Sequence, residues 1–382
     1  MHPLYKIVGR FLRVIGLQNL IILEAEPTAR ENTQAVYREM LRRGWNKRYR
    51  IALVTLDPDN LQSWHAEHVM ILKRVQYDDS QIAKMYMRWI SDRACMIIDE
   101  NRQIERKNPK AIHVYLTHGS PIKCTSGFYF CKPDTDYSLC QSEFFRPKQS
   151  YEMKIPENKL VLKGIPRNDL LINSTLSLSS IFGDSFQKVI VWYPTYRQHR
   201  SSSIIPGTEI SGLPIVHDEN AAKQINEIAA KYGVLLVVKP HPAQDLSRIK
   251  ALRLDHLMVI TDDFFVSHGI SSYAFLGKAD ALITDYSSVI YDYLLTGKPV
   301  ALAQEDYEEY EKKVGFAIDM NLLRDCCVTL ETADDFDSFF RDLIEGNDPL
   351  REKRDKLMHL TNHYTDGNSA ARVVDWLETL LK

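Results

Sequence analysis

The run ITDYSSVIYDYLLTGKPV, Ile283 to Val300, compresses a complete strand–turn–helix–strand unit into one short stretch of sequence. An apolar strand enters an Asp-Tyr-Ser-Ser turn and a helix follows. Gly297-Lys298-Pro299 then stops that helix before the next apolar run. Strands joined through a helix run parallel, so the stretch restricts the fold to an α/β architecture. The turn also sets backbone N–H groups and two hydroxyls at the positive end of a helix dipole, an arrangement suited to phosphate.

The same alternation recurs along the chain. Leu20–Glu24, Tyr49–Leu56, Ala111–Leu116, Lys188–Trp192, Val234–Val238, Leu257–Thr261 and Ala281–Thr284 read as strands. Asn32–Arg43, Gln81–Ile98, Ala221–Lys231 and Ser369–Leu381 read as helices. Residues 171–187 are rich in Ser and poor in charge, and they read as a linker. The expectation is an α/β protein of two Rossmann-like domains facing a central cleft, 1–175 and 176–382, with the last helix available to pack back on the first domain.

At 382 residues, 45% apolar and 26% charged, the chain can bury two full cores. A net charge of −2 gives no global field for nucleic acid. The six cysteines, Cys95, Cys124, Cys131, Cys140, Cys326 and Cys327, form no C-x-x-C pair and lack zinc-finger spacing to His. They fit a reduced, cytoplasmic protein. No apolar run reaches the length of a membrane span. In residues 4–17, Leu4, Ile7, Val8, Phe11 and Ile15 recur at helical spacing opposite Lys6, Arg10 and Arg13. Such a segment either packs on its domain or lies peripherally on an anionic membrane.

Five polar turns, each after a strand, carry the candidate chemistry. His118 follows a strand in Thr117-His118-Gly119-Ser120-Pro121, where an imidazole can take a proton from a hydroxyl at neutral pH; taken alone the motif is weak and reads first as a local loop histidine. Lys239-Pro240-His241-Pro242 fixes a histidine between prolines, suited to a diphosphate or to a rigid loop. Asp285, Ser287, Ser288 and Asp292 occupy the opening turn and first helical turns of the Ile283–Val300 unit. The serines are placed to donate to phosphate or to cap the helix. Asp292 is better matched to a ribose, a base or an acceptor than to phosphate. Arg167, in Gly164-Ile165-Pro166-Arg167, and Arg197, in Tyr193-Pro194-Thr195-Tyr196-Arg197, lie just past strand ends, where guanidinium–phosphate pairing is natural. No motif argues for a metal.

As an ordered set, these turns resemble the CDP-glycerol glycerophosphotransferase family of teichoic acid synthesis. The family's WHGTP-L-K element resembles Thr117 to Lys123, its G-x-PR-x-D element Gly164 to Asp169, and its PT-[WFY]-R element Pro194 to Arg197. Lys239 to Pro242 matches basic-x-HP, and Thr284 to Asp292 matches TDYSS-x-x-x-D with GKP following. Tyr307-Glu308-Glu309-Tyr310, Gly315-Phe316 and His363 to Gly367 match later elements. Thr117 stands for the family's Trp, Ser120 for its Thr and Lys239 for its commoner Arg. The length resembles the short, primase-like members.

The resemblance implies a glycosyltransferase-B-like fold and no cofactor. It implies transfer of a polyol phosphate from a CDP-glycerol or CDP-ribitol donor to a lipid-linked glycan or polyol-phosphate acceptor, releasing CMP. His118 would be the general base. His241, Lys239 and Arg197 would stabilise the departing CMP, and Ser287 and Ser288 would hold the diphosphate. Thr117, Gly119, Ser120, Pro121, Lys123, Arg167, Pro194, Thr195, Asp285 and Asp292 complete the expected binding set. Two other readings remain: a glycosyltransferase-B enzyme using a sugar nucleotide, and a non-catalytic nucleotide- or polymer-binding relative.

Overall fold

The computed structural model describes residues 19–26, 31–76, 78–101, 104–124, 134–195, 212–241, 244 and 246–382. Residues 4–17, Arg197 and Pro242 lie outside them. The chain divides into two compact units. One comprises Met1–His118, Phe130–Asp169 and Asn368–Lys382; the other comprises Gly119–Tyr129 and Leu170–Gly367. The division therefore falls between Asp169 and Leu170 rather than at 175/176. The expected linker belongs to the second unit, and the last helix belongs to the first.

The first unit is built on β1 (Leu20–Glu24), β2 (Arg50–Thr55), β3 (Val69–Lys73), β4 (Ala94–Asp99), β5 (Ile112–Tyr115), β6 (Tyr137–Leu139) and β7 (Leu160–Val161). Their order in the sheet is β3-β2-β1-β4-β5-β6-β7, and every pairing is parallel. Successive residues of a strand point to opposite faces, and both faces are covered. On one face Ile21, Leu23, Ile51, Leu53, Met96 and Ile98 meet Val36, Tyr37 and Met40 of α1 (Glu31–Arg42). Val373, Val374 and Leu377 of the last helix, Ser369–Leu381, join the same layer. On the other face Ile22, Ala52, Val54 and Ile97 meet Ile90 of α2 (Gln81–Arg93). The expected single helix over 81–98 is therefore a helix followed by β4. The buried run ACMIID carries no polar alternation, so periodicity alone does not separate it from helix.

The second unit contains β8 (Lys188–Trp192), β9 (Val234–Val238), β10 (Leu257–Val259), β11 (Ala281–Thr284), β12 (Val300–Ala303) and β13 (Val328–Leu330). Their order is β10-β9-β8-β11-β12-β13, again all parallel. Ile190, Trp192, Leu236, Val238 and Ile283 pack against Ala222, Ile225 and Ala229 of α3 (Glu219–Lys231) and against Phe336, Phe339 and Phe340 of Ala333–Glu345. In both sheets the strand order reverses beside the first strand, at β1/β4 and at β8/β11. Ligands of open α/β sheets bind beyond the carboxyl ends of the strands at this reversal.

Candidate active site

In the first unit β5 delivers Thr117 and His118. Thr117 is buried with φ 63°, a left-handed backbone that a β-branched residue adopts only under strain of roughly 1–3 kcal/mol. Three side chains hold the backbone there. The Asn32 amide donates to the Thr117 carbonyl at 3.1 Å, a guanidinium N–H of Arg167 donates to the His118 carbonyl at 2.9 Å, and the His118 N–H donates to the Tyr115 hydroxyl at 3.1 Å. His118 itself is exposed. The strain and the three bonds fix the turn while leaving the imidazole side accessible.

Arg167, expected to meet phosphate, is 6% exposed, and a guanidinium N–H is bonded to the main-chain carbonyl of His118. The rest of the Gly164–Asp169 element packs on the last helix. A Cβ on Gly164, at φ +82°, would lie 2.2 Å from the Ser369 hydroxyl. Asp169 accepts the N–H groups of Ser369 and Ala370 at 2.8 and 2.7 Å, closing the first turn of the last helix.

In the second unit, segment 119–124 is stitched to the loops after β11 and β12. Ser120 is buried and Gly119 half-buried. The Tyr291 hydroxyl donates to the Pro121 carbonyl, Lys123 bridges to Phe316, and the Cys124 N–H donates to the Gly315 carbonyl. Tyr286, Tyr310 and Phe316 form a ring cluster beneath, with the two tyrosines stacked 3.9 Å apart.

Asp285, expected to bind substrate, is fully buried. It accepts the Thr195 N–H and hydroxyl at 2.9 and 2.5 Å and the Tyr286 N–H at 2.6 Å. It joins the turn after β11 to the turn after β8, with Pro194 buried alongside. Asp292 is likewise fully buried and accepts the Tyr273 hydroxyl at 2.7 Å. Ser287 and Ser288 stay half-buried, and Ser288 caps no backbone N–H of the helix that follows. That helix, Val289–Tyr293, is only five residues long before a 3₁₀ turn at Leu294–Thr296. A full-length dipole is therefore missing, and the hydroxyls and turn N–H groups become the relevant donors.

Beyond β9, Lys239 pairs with Asp262 at 3.0 Å. His241 is solvent-accessible, yet protein crowds the ring. Desolvation, then the Lys123 and Lys239 ammonium groups, hold its pKa below the usual histidine value, with Asp262 opposing. The ring is therefore mostly neutral at neutral pH, and its N–H is a hydrogen-bond donor in either state. Lys123, Lys239 and His241 form a positive, partly desolvated cluster within one unit.

Sequence reasoning missed Asn32, Glu100, Tyr115 and Asp262. Glu100 is fully buried. It accepts the N–H groups of Asn32 and Thr33 at 3.4 and 3.0 Å, the Asn32 amide at 3.1 Å and the Thr33 hydroxyl at 3.2 Å. Its signal is its position just after a strand end, which a helical reading of 94–98 hides. Among the described residues no cluster of His, Cys, Asp and Glu is arranged to hold a metal ion, and no disulfide is formed. No helix among them is long and apolar enough to cross a membrane.

Comparison with known proteins bears on the family and the fold. The chain is 27% identical over 297 residues to a teichoic acid glycerol-phosphate primase of Bacillus subtilis (strain 168), covering 72% of this chain and 70% of that protein. It is 23% identical over 255 residues to a teichoic acid ribitol-phosphate primase of Bacillus spizizenii, covering 64% of this chain and 60% of that protein. The wall teichoic acid polymerase TagF superposes with a TM-score of 0.73 at 18% identity, covering 98% of this chain and 92% of TagF. That likeness shows the fold, which is glycosyltransferase-B-like with two Rossmann-like units. The model of the CDP-glycerol:poly(glycerophosphate) glycerophosphotransferases matches residues 9–379, and the chain belongs to that family.

Proposed function

We propose that this chain transfers a polyol phosphate, glycerol phosphate in the first place, from a CDP-linked donor to a hydroxyl of a lipid-linked acceptor, releasing CMP. The observation that carries the reading is the His118 turn: a strained backbone held by three side chains, presenting an accessible imidazole beyond a strand end. Maintaining a strained conformation costs stability, and such positions concentrate where geometry serves chemistry.

In this reading the acceptor oxygen forms a bond to the phosphorus bearing the polyol while His118 takes the hydroxyl proton. The bond from that phosphorus to the bridging oxygen breaks, and CMP leaves with the electron pair. The second unit holds the donor. Ser287, Ser288 and the turn N–H groups meet the diphosphate. Lys239, Lys123, His241 and Arg197 meet the charge that develops on the leaving CMP. An arriving diphosphate raises the depressed pKa of His241, so the ring gains a proton where negative charge accumulates. Asp285, Asp292 and Thr195 act by fixing these loops. The first unit supplies the acceptor side, and residues 4–17 contact the anionic surface in which a lipid-linked acceptor resides.

The test is incubation with CDP-glycerol, CDP-ribitol and a panel of UDP-sugars beside a synthetic lipid acceptor, with the product resolved by mass. The expected result is acceptor heavier by one or more polyol phosphates, with CMP formed in step. Release of UDP with a glycosylated acceptor would instead establish a sugar transferase. No turnover of any donor, despite nucleotide binding, would establish a non-catalytic relative.

A further inference from the structure

The turn that presents His118 is braced from behind by a buried polar chain that the transfer chemistry does not use. Asn32 is fully buried, and its amide is committed in three directions. It donates to the Glu100 carboxyl at 3.1 Å, donates to the Thr117 carbonyl at 3.1 Å, and its oxygen accepts the Arg167 N–H at 3.0 Å. Arg167 then donates to the His118 carbonyl at 2.9 Å. Glu100 holds the other end by accepting the first N–H groups of α1 and the Thr33 hydroxyl. Only a carboxamide supplies two donors and an acceptor from one planar group; Asp lacks the donors, and Leu lacks all three.

We propose that Asn32, anchored by Glu100, is a positioning residue for His118, setting the backbone on both sides of the imidazole through the Thr117 carbonyl and Arg167. The proposal rests on the reading of His118 as the base. A loosened turn displaces the imidazole from the acceptor hydroxyl, and a displacement of about 1 Å can cost on the order of 10²-fold in rate. Donor binding is assigned to the other unit and stays intact.

The experiment is a double-mutant cycle of Asn32→Ala and His118→Ala in the full chain, with kcat and donor KM measured for each and a thermal melt as the check on folding. Expected is a 10- to 100-fold loss of kcat for Asn32→Ala, about (within twofold) the wild-type KM for CDP-glycerol, and less than about threefold further loss when it is added to His118→Ala. Equal losses in both backgrounds would show that Asn32 does not act through His118. Unchanged kcat for Asn32→Ala beside an impaired His118→Ala would overturn the positioning role and leave the base assignment standing. Near-normal turnover by His118→Ala would overturn both. If Asn32→Ala is recovered unfolded, Asn32→Ser, which retains a small polar group, takes its place in the same cycle.

Discussion

In the first unit a carboxyl one residue beyond β4, that of Glu100, accepts backbone N–H groups from α1, which follows β1. In the second unit a carboxylate one residue beyond β11, that of Asp285, accepts the backbone N–H and hydroxyl of Thr195, which follows β8. β1/β4 and β8/β11 are the equivalent reversal points of two sheets that share one strand order over their first six strands. Each unit thus fills its own reversal point with an internal acid, at the place where an open sheet of this kind ordinarily receives an anion. Under the proposed function the chemistry then lies beside these points. In the first unit it would sit one strand over, at His118 beyond β5. In the second it would sit two and three residues along the same turn, at Ser287 and Ser288, and at the cluster beyond β9.

If the two units divide the labour this way, damage to each should change different kinetic constants. The largest effect is expected for His118→Ala, a fall in kcat of about 10²–10⁴-fold with an unchanged melt, the usual contribution of a general base. Near-normal CMP release by this variant would break the comparison outright. Next comes Asp285→Asn, which removes an acceptor from the Thr195 and Tyr286 groups. Leaving a buried donor unsatisfied costs about 1–3 kcal/mol, so the loops after β8 and β11 should separate and donor KM should rise roughly tenfold or more. A loss confined to kcat would place Asp285 with the chemistry instead. Ser287→Ala and Ser288→Ala should each raise donor KM by about three- to tenfold with little change in kcat, as expected for one hydrogen bond to a charged group. Equilibrium dialysis with CDP-glycerol checks this directly.

The smallest expected effect concerns stability. Burial, with the nearby Glu31 carboxylate adding to it, pushes the Glu100 carboxyl up to about 8 against the pull of Arg167 and the bonded N–H groups. The folded state therefore holds a proton that the unfolded state releases near pH 4.5. Stability should fall as pH rises from that value to about 8 and level off above it. Glu100→Gln should flatten the slope, seen as a melting midpoint that shifts by a few degrees less across the window. A slope of the opposite sign would show an ionised, stabilising Glu100 instead.

Much of this was legible in the sequence. Leu20–Glu24, Lys188–Trp192, Val234–Val238 and Ala281–Thr284 are apolar runs bounded by polar turns, and the structure has strands at those positions. The segment 94–99 escaped because a strand buried on both faces lacks alternation. Site residues were harder for a physical reason: sequence spacing places a side chain after a strand but does not say whether it faces ligand or core. Ser287 and Asp285 are two residues apart, and one is half-exposed while the other is sealed. For Arg167 the bond to the His118 carbonyl, 49 positions away and to a main-chain atom, is one that composition does not reveal. Asn32 and Glu100 gave no signal by residue type, since both are ordinary at helix starts and strand ends.

The helix Ser369–Leu381 fills the sheet layer that α1 also covers, and Asp169 caps its first turn. During synthesis, the segments carrying β1 to β7 emerge long before that helix does. The half-built layer must wait, apolar side exposed, while Leu170–Gly367 of the second unit is translated. Nascent chains stalled before residue 369 should thus be prime clients for chaperones, with the helix from Ser369 acting as the latch on the earliest strands.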